Sequence, residues 1–155
     1  IHFDAHTDLR EDYLGAPLSH ASVIRRCLEL LGDGRIWQFG IRSGERVEFQ
    51  WAKSHTALRP FDFEGLAQAV QAVNGRPVYF TLDLDVLDPA FFCGTGTPEA
   101  GGVSFLALME AIKTVCTANI VGCDVMELAP PLDQSGASTA LACKVVRELL
   151  LALNH

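Results

Sequence analysis

Two short stretches of this chain carry side chains whose types and spacing could do chemistry. In the first, Ile-His-Phe-Asp-Ala-His-Thr-Asp, Asp4, His6 and Asp8 recur at every second position. In an extended segment such side chains point the same way, so two carboxylates and an imidazole converge on one side of the backbone. In the second, Asp83 and Asp85 repeat the spacing. Packed into one cleft without cations, these carboxylates would repel each other severely. Divalent ions would remove that repulsion. Oxygen-rich ligation with some imidazole suits manganese better than a structural zinc, which prefers thiolate and imidazole. Two such ions about 3.5–4 Å apart can share a water and turn it into hydroxide near neutral pH. Either motif alone reads as readily as a solvated loop or turn. Both at strand ends in one chain point to metal.

Two further residues could work beside such a centre. His20 starts a predicted helix after a flexible loop. It reads either as a surface histidine or as a proton shuttle, because imidazole changes charge near physiological pH. Glu127 ends an apolar strand. It reads either as a carboxylate bonded to nearby loop amides or as an anion that receives a cationic substrate. The loop from Gly94 to Pro98, Gly-Thr-Gly-Thr-Pro, lacks the lysine of a P-loop and does not open directly into a helix. It is expected to line a small-substrate cleft rather than to bind a nucleotide. Asp124 is read as structural, and Asp88, before Pro89, as shaping a turn. His2, His55 and His155 have no supporting context and are assigned no role.

The elements that must position these groups alternate. Strands are expected at 1–3, 35–41, 77–82 and 119–128. A helical stripe of Val23, Ile24, Cys27, Leu28 and Leu31 follows Ser19 as N-cap and stops at Gly32. A short helix is expected at 45–53. Another is capped by Asp62, carries Phe63, Leu66, Ala67, Val70 and Val73 on one face, and ends at Asn74 and Gly75. Ser104 caps a helix bearing Phe105, Leu108, Met109, Ile112 and Val115. An apolar helix is expected at 138–153, with loops at 10–18, 88–102 and 130–135. Strands alternating with helices imply a mostly parallel sheet covered on both faces, with ligands at the carboxyl ends of the strands. Asp4, Asp83 and Glu127 each fall at such an end, on three different strands.

Composition sets the outer bounds. With 155 residues, 49% apolar and 20% charged, the chain reads as one globular domain, 1–155. A net charge of −7 argues against nucleic acid or an anionic membrane as partner, since both need a basic face. No apolar run reaches the length of a membrane span. The five cysteines form no C-x-x-C pair. Cys27, Cys116 and Cys143 fall in apolar helical patterns and are expected to be reduced core residues, which favours a cytoplasmic setting. The chain opens without Met inside an apparent strand, and reads as part of a longer protein.

Taken together, the motifs resemble those of the ureohydrolase family of arginases, agmatinases and related amidinohydrolases. The resemblance rests on Phe-Asp-Ala-His-Thr-Asp at 3–8, on Leu-Asp-Leu-Asp-Val-Leu-Asp-Pro at 82–89 with its Gly-Thr-Gly-Thr-Pro continuation, and on Asp-Val-Met-Glu at 124–127 followed by Pro130 and Asp133. It runs over essentially the whole chain. Residues 13–20, Tyr-Leu-Gly-Ala-Pro-Leu-Ser-His, are similar to bacterial agmatinases. The stretch by which arginases recognise α-amino and α-carboxylate groups has no obvious counterpart.

The resemblance implies a three-layer α/β/α, arginase-like fold, of which this chain supplies the C-terminal part. It implies two manganese ions per site, with Asp4 and Asp83 bridging them, Asp8 on one, and His6 and Asp85 on the other. His20 would be the catalytic histidine and Glu127 the carboxylate that binds the guanidinium. The implied reaction is hydrolysis of agmatine to putrescine and urea by a metal-bridging hydroxide, a step in polyamine biosynthesis. The implied assembly is a homo-oligomer, trimer or hexamer. The alternatives are a same-family hydrolase for guanidinobutyrate, arginine or formiminoglutamate, or a truncated remnant without turnover. Two departures matter. The family carries a further metal-binding histidine in a Gly-Gly-Asp-His type motif with no counterpart here, and Cys93 stands where the family usually has proline.

Overall fold

The computed structural model describes residues 1–154, so His155 lies outside the described residues. Five parallel strands form one sheet in the order β3-β2-β1-β4-β5. They are β1 (His2–Phe3), β2 (Trp37–Ile41), β3 (Ala57–Pro60), β4 (Val78–Asp83) and β5 (Ile120–Met126). Five helices connect or follow them: α1 (Val23–Leu31), α2 (Arg46–His55), α3 (Leu66–Val73), α4 (Phe105–Val115) and α5 (Ala137–Leu153). Apolar clusters on two sides of the sheet make three layers. One joins Leu9, Ile36, α1 and α2 through Ile24, Leu28 and Ala52. The other joins the sheet to α3, α4 and α5 through Leu66, Leu108, Ile112, Val145 and Leu149. Four phenylalanines set its centre, the Phe3 ring lying 4.5 Å from Phe63, 4.9 Å from Phe80 and 5.9 Å from Phe39.

The order of the strands fixes where a ligand can enter. After β1 the chain moves outward through β2 to β3, then returns to the other side of β1 as β4 and continues to β5. Connections therefore leave β1 and β4 in opposite directions. Their carboxyl ends open a crevice at this reversal, which is where parallel α/β sheets take ligands. Asp4 and Asp83 stand on its two sides.

Most boundaries follow the sequence signals. Gly32 ends α1 at φ 85°, a left-handed backbone that glycine adopts at no steric cost. The Ser104 hydroxyl accepts from the Ala107 N–H at 3.2 Å. Ser19 caps a 3-10 turn, His20–Ser22, that leads into α1. Three expectations are corrected. Asp62 does not cap α3: the helix begins at Leu66 behind Gly65, and the Asp62 carboxylate instead accepts from Arg59 and from the Glu64 N–H. β3 was not expected, because Ala-Leu-Arg-Pro has no β-branched residue; it exists by pairing with β2. Cys143 is exposed, while Cys27 and Cys116 are half-buried. α5 turns Ala142, Val145 and Leu149 inward, and position 143 falls off that face. No helix among the described residues is long and apolar enough to cross a membrane.

Candidate metal centre and substrate cleft

β1 ends at Phe3, and the next residues leave the sheet while staying bonded to it. The Asp4 N–H donates to the Phe39 carbonyl at 3.2 Å, and the Ala5 carbonyl accepts from Arg42 and Ser43 at 2.7 and 2.8 Å. This stretched path keeps Asp4 and His6 on one side. Asp8 then takes a left-handed backbone, φ 53°, which bends the chain and holds its carboxylate in the same cleft. A non-glycine residue in that region stores strain, a cost that surrounding bonds must hold in place. Here the Asp8 carbonyl accepts from Arg25 at 3.2 Å. Buried Glu48 accepts from the Thr7 hydroxyl at 2.6 Å and from the Leu9 N–H at 3.1 Å.

Across the crevice, β4 runs into a 3-10 turn, Leu84–Val86. The Asp83 carboxylate accepts from the Asp85 N–H at 2.8 Å, and Asp85 accepts from the Ala5 N–H at 3.1 Å. The two motifs, distant in sequence, are thus tied directly. Beyond β5, Glu127 also takes a left-handed backbone, φ 66°.

All seven predicted site residues, Asp4, His6, Asp8, Asp83, Asp85, His20 and Glu127, line one cavity of about 570 Å³. His20 stands at its exposed side, its ring edge-on to Tyr13 at 5.2 Å. Gly96 and Thr97 of the expected cleft loop also line it. The stretch 9–18 contributes Arg10 and Tyr13 to the lining, while 130–138 contributes no lining residue. Asp133 is engaged locally instead, accepting from Ser135 and from the Ser138 N–H. The carboxylates of Asp124 and Asp88 likewise serve the fold. Asp124 joins Thr81 and Tyr79 on β4, and Asp88 gathers the amides of Ala90, Gly101 and Gly102.

The electrostatics of the cavity call for cations. Asp83 is pushed up to about 10 by burial and by its neighbours Asp4 and Asp85. Asp8 rises to about 7, from burial and then from Asp4. For Asp4 burial acts the same way, but the adjoining His2 and hydrogen bonds from His2 and His6 overcome it and hold the carboxyl well below its usual range. His6 is raised to about 10: burial opposes this, and its contacts with Asp4 and Asp85 outweigh it. The His6 Nδ1 atom lies 3.3 Å from Asp4 Oδ1 and 3.0 Å from Asp85 Oδ2. Even so, Asp85 Oδ2 is buried without a well-aligned hydrogen bond. An orphaned carboxylate oxygen beside a second carboxylate and an imidazole is what a divalent ion would satisfy.

Two groups of side chains bring ligand-type atoms within 4.8 Å of one another: Asp4 with His6 and Asp85, and Asp4 with His2 and Asp8. Asp4 is common to both. The donor set is oxygen-rich with imidazole and contains no thiolate, so it fits manganese.

Sequence reasoning missed four residues at or around the cavity. His2, given no role, is buried with its Nε2 2.8 Å from Asp4 Oδ2. The signal was present, since the alternation of Asp4, His6 and Asp8 extends back to His2. Glu48 carried no signal, because only the fold brings α2 under the loop after Thr7. Arg42 donates to the carbonyls of Asp85 at 2.7 Å, Glu99 at 2.8 Å and Gly40 at 3.1 Å. It thereby ties the end of β2 to the second motif and to the cleft loop. Glu99, whose carboxylate accepts from Ser43 at 2.8 Å, lines the cavity too.

Comparison with known proteins places this geometry. A model of the arginase family matches residues 1–152. An agmatinase from Bacillus anthracis is 49% identical over 155 residues, covering 97% of this chain and 53% of that protein. A guanidinobutyrase from Pseudomonas aeruginosa is 34% identical, covering 99% of this chain and 52% of that protein. The crystal structure of the agmatine ureohydrolase of Thermoplasma volcanium superposes with a TM-score of 0.84 at 34% identity, covering 99% of this chain and 54% of that one. The chain spans about half the length of the curated relatives it matches.

Proposed function

This chain belongs to the arginase family, and from that premise we propose that the protein hydrolyses a guanidino compound, agmatine to putrescine and urea. The observation that carries the reading is the convergence of Asp4, His6, Asp8, Asp83, Asp85, His20 and Glu127 on one cavity at the reversal of strand order. Bacterial agmatinases match at 46–49% identity and a guanidinobutyrase at 34%, which favours agmatine over guanidinobutyrate, arginine or formiminoglutamate. We place the activity in the cytoplasm, in a homo-oligomer.

Two manganese ions, held by Asp4, His6, Asp8, Asp83 and Asp85, would supply a strongly acidified water and positive charge against the developing negative charge. Asp4 and Asp83, facing each other across the crevice, would be shared by the two ions, Asp8 would serve one of them, and His6 with Asp85 the other. Glu127 receives the guanidinium through charge-assisted hydrogen bonds and holds it in line. Its carboxylate lies beside Gly96, where an added Cβ would stand 3.9 Å from Oε2, so the cleft loop and Glu127 together shape the guanidinium pocket. His20, on the accessible side, delivers a proton to the departing amine nitrogen. Its neighbour Tyr13 limits where the ring can turn. Of the remaining acidic lining, Glu45 and Glu48 pair with Arg10, and Glu99 is the carboxylate that favours a substrate with a second positive charge, as agmatine has.

The test is urea release by the manganese-loaded chain from agmatine, guanidinobutyrate and arginine, alongside formamide release from formiminoglutamate. Preference for agmatine supports the reading. Stoichiometric manganese uptake without urea from any guanidino substrate would reduce the chain to a metal-binding remnant.

A further inference from the structure

His2 belongs to the group of ligand-type atoms with Asp4 and Asp8 but is not among the five residues proposed to hold the ions; it is 3% exposed and bonded at both ring nitrogens. Its protonation can be worked out from its neighbours. The Thr7 carbonyl can only accept a hydrogen bond. It lies 2.8 Å from one terminal atom of the Gln38 side chain, which must therefore be the amide nitrogen. The other terminal atom, Oε1, accepts from the Thr56 hydroxyl at 3.1 Å, in agreement. The same Gln38 nitrogen stands 3.2 Å from His2 Nδ1. One of its two protons goes to Thr7 and the second to the ring, so Nδ1 is a bare acceptor. The imidazole then carries its proton on Nε2, 2.8 Å from Asp4 Oδ2.

We propose that His2 is a positioning residue for Asp4, set in its Nε2–H tautomer by Gln38. The proposal rests on the reading of Asp4 as a metal ligand. With His2 donating to Oδ2 and the His6 N–H donating to Oδ1 at 2.6 Å, the Asp4 carboxylate is pinned from both ends. Each oxygen has a further lone pair beyond the one so engaged, and Asp4 lines the cavity.

A direct ligand role for His2 fails on the same geometry. Ligation through Nε2 would move the proton to Nδ1, against the Gln38 amide protons. Turning the amide over would set its oxygen against the Thr7 carbonyl. Gln38 and Thr7 are fully buried, so neither repulsion could be relieved by water. Groups that orient a ligating side chain in this way typically change metal affinity by roughly 10–100-fold when removed.

The first test needs no metal. Long-range proton–nitrogen NMR on the chain should show His2 with a protonated Nε2 and a bare Nδ1. An Nδ1–H tautomer or an imidazolium overturns the proposal. The Nε2–H signal should persist on loading with diamagnetic Cd2+; its replacement by a metal-bound nitrogen makes His2 a ligand and overturns it too. The second test is Mn2+ titration followed by electron paramagnetic resonance. His2→Phe should bind Mn2+ roughly 10–100-fold more weakly, and His2→Gln, whose amide can still donate, should recover most of the loss. Unchanged affinity in a folded His2→Phe chain overturns the proposal. Where His2→Phe does not fold, the tautomer and His2→Gln decide: a folded His2→Gln that binds as weakly as a ligand deletion counts against it. A native chain that takes up no Mn2+ overturns the metal reading itself, and this role for His2 with it, whatever the tautomer.

Discussion

Asp83 and Asp85 sit on a turn that closes on itself, whereas Asp4, His6 and Asp8 sit on backbone supported from elsewhere. The second motif follows a six-residue strand paired on both sides. Its own turn is closed by short-range bonds, Asp85 N–H to Asp83 and Leu87 N–H to the Leu84 carbonyl at 3.2 Å, to which the Ala5 N–H and Arg42 add contacts from outside. The first motif follows a strand of two residues. It has the same kind of local bond, His6 N–H to Asp4, but its backbone beyond that is held from Phe39, Ser43, Glu48 and Arg25, all distant in sequence. It also carries the strained backbone of Asp8. One half of the centre is therefore templated locally, and the other half is imported from β2, α1 and α2. Strain and long-range support sit together on the half that must also bend around the cavity.

The comparison can be broken at its strongest point first. Asp83→Ala should abolish both manganese uptake and urea release, because the ligand removed is shared. Metal content by atomic absorption, together with a urea assay, checks this. A variant that kept both ions would sink the shared-ligand assignment. Manganese at about a hundred times its dissociation constant should stabilise the native chain by about 2.7 kcal/mol, and chelation should remove that gain in a thermal melt.

The imported half should be the more fragile. Glu48→Ala strands the Thr7 hydroxyl and the Leu9 amide in a buried setting, at a cost of about 2–3 kcal/mol, read by denaturant unfolding. It should also weaken manganese binding, because the chain beyond Asp8 loses its anchor. Arg42→Lys replaces a fan of carbonyl contacts with a single flexible ammonium, at a cost of about 1–2 kcal/mol. It should raise KM more than it lowers kcat, since Arg42 holds the cleft loop through Glu99. The smallest effect belongs to a control away from both motifs. Ser104→Ala removes the cap of α4, costs about 1 kcal/mol, and should leave manganese affinity unchanged. Equal losses of metal binding in Glu48→Ala and Ser104→Ala would erase the distinction between the two halves.

Much of this was legible in the residues. The alternation of Asp4, His6 and Asp8, its echo at Asp83 and Asp85, and the apolar stripes of α1 and α4 are local patterns with fixed periods, and a period survives in one dimension. Gly32, Asn74 and Ser104 end or begin helices for reasons contained in their own side chains. β3 was not legible, because a strand lacking β-branched residues forms only when a neighbour offers its edge. Nor was the start of α3, where Asp62 had a nearer partner in Arg59.

The sequence by itself determined which side chains could meet a metal, which strand ends would carry them, and that the sheet would be parallel. Only the tertiary structure decided that β1 and β4 lie side by side with their connections leaving in opposite directions, so that two motifs distant in sequence face one crevice. It also decided the supports: Glu48 beneath the bend at Asp8, Arg42 joining the end of β2 to the second motif and the cleft loop, and Gln38 against His2. The physical reason is the range of the interactions. Backbone periodicity and capping act within a few residues, while satisfying a buried carboxylate or imidazole requires whichever polar group the fold brings within about 3 Å, and no local pattern names that partner.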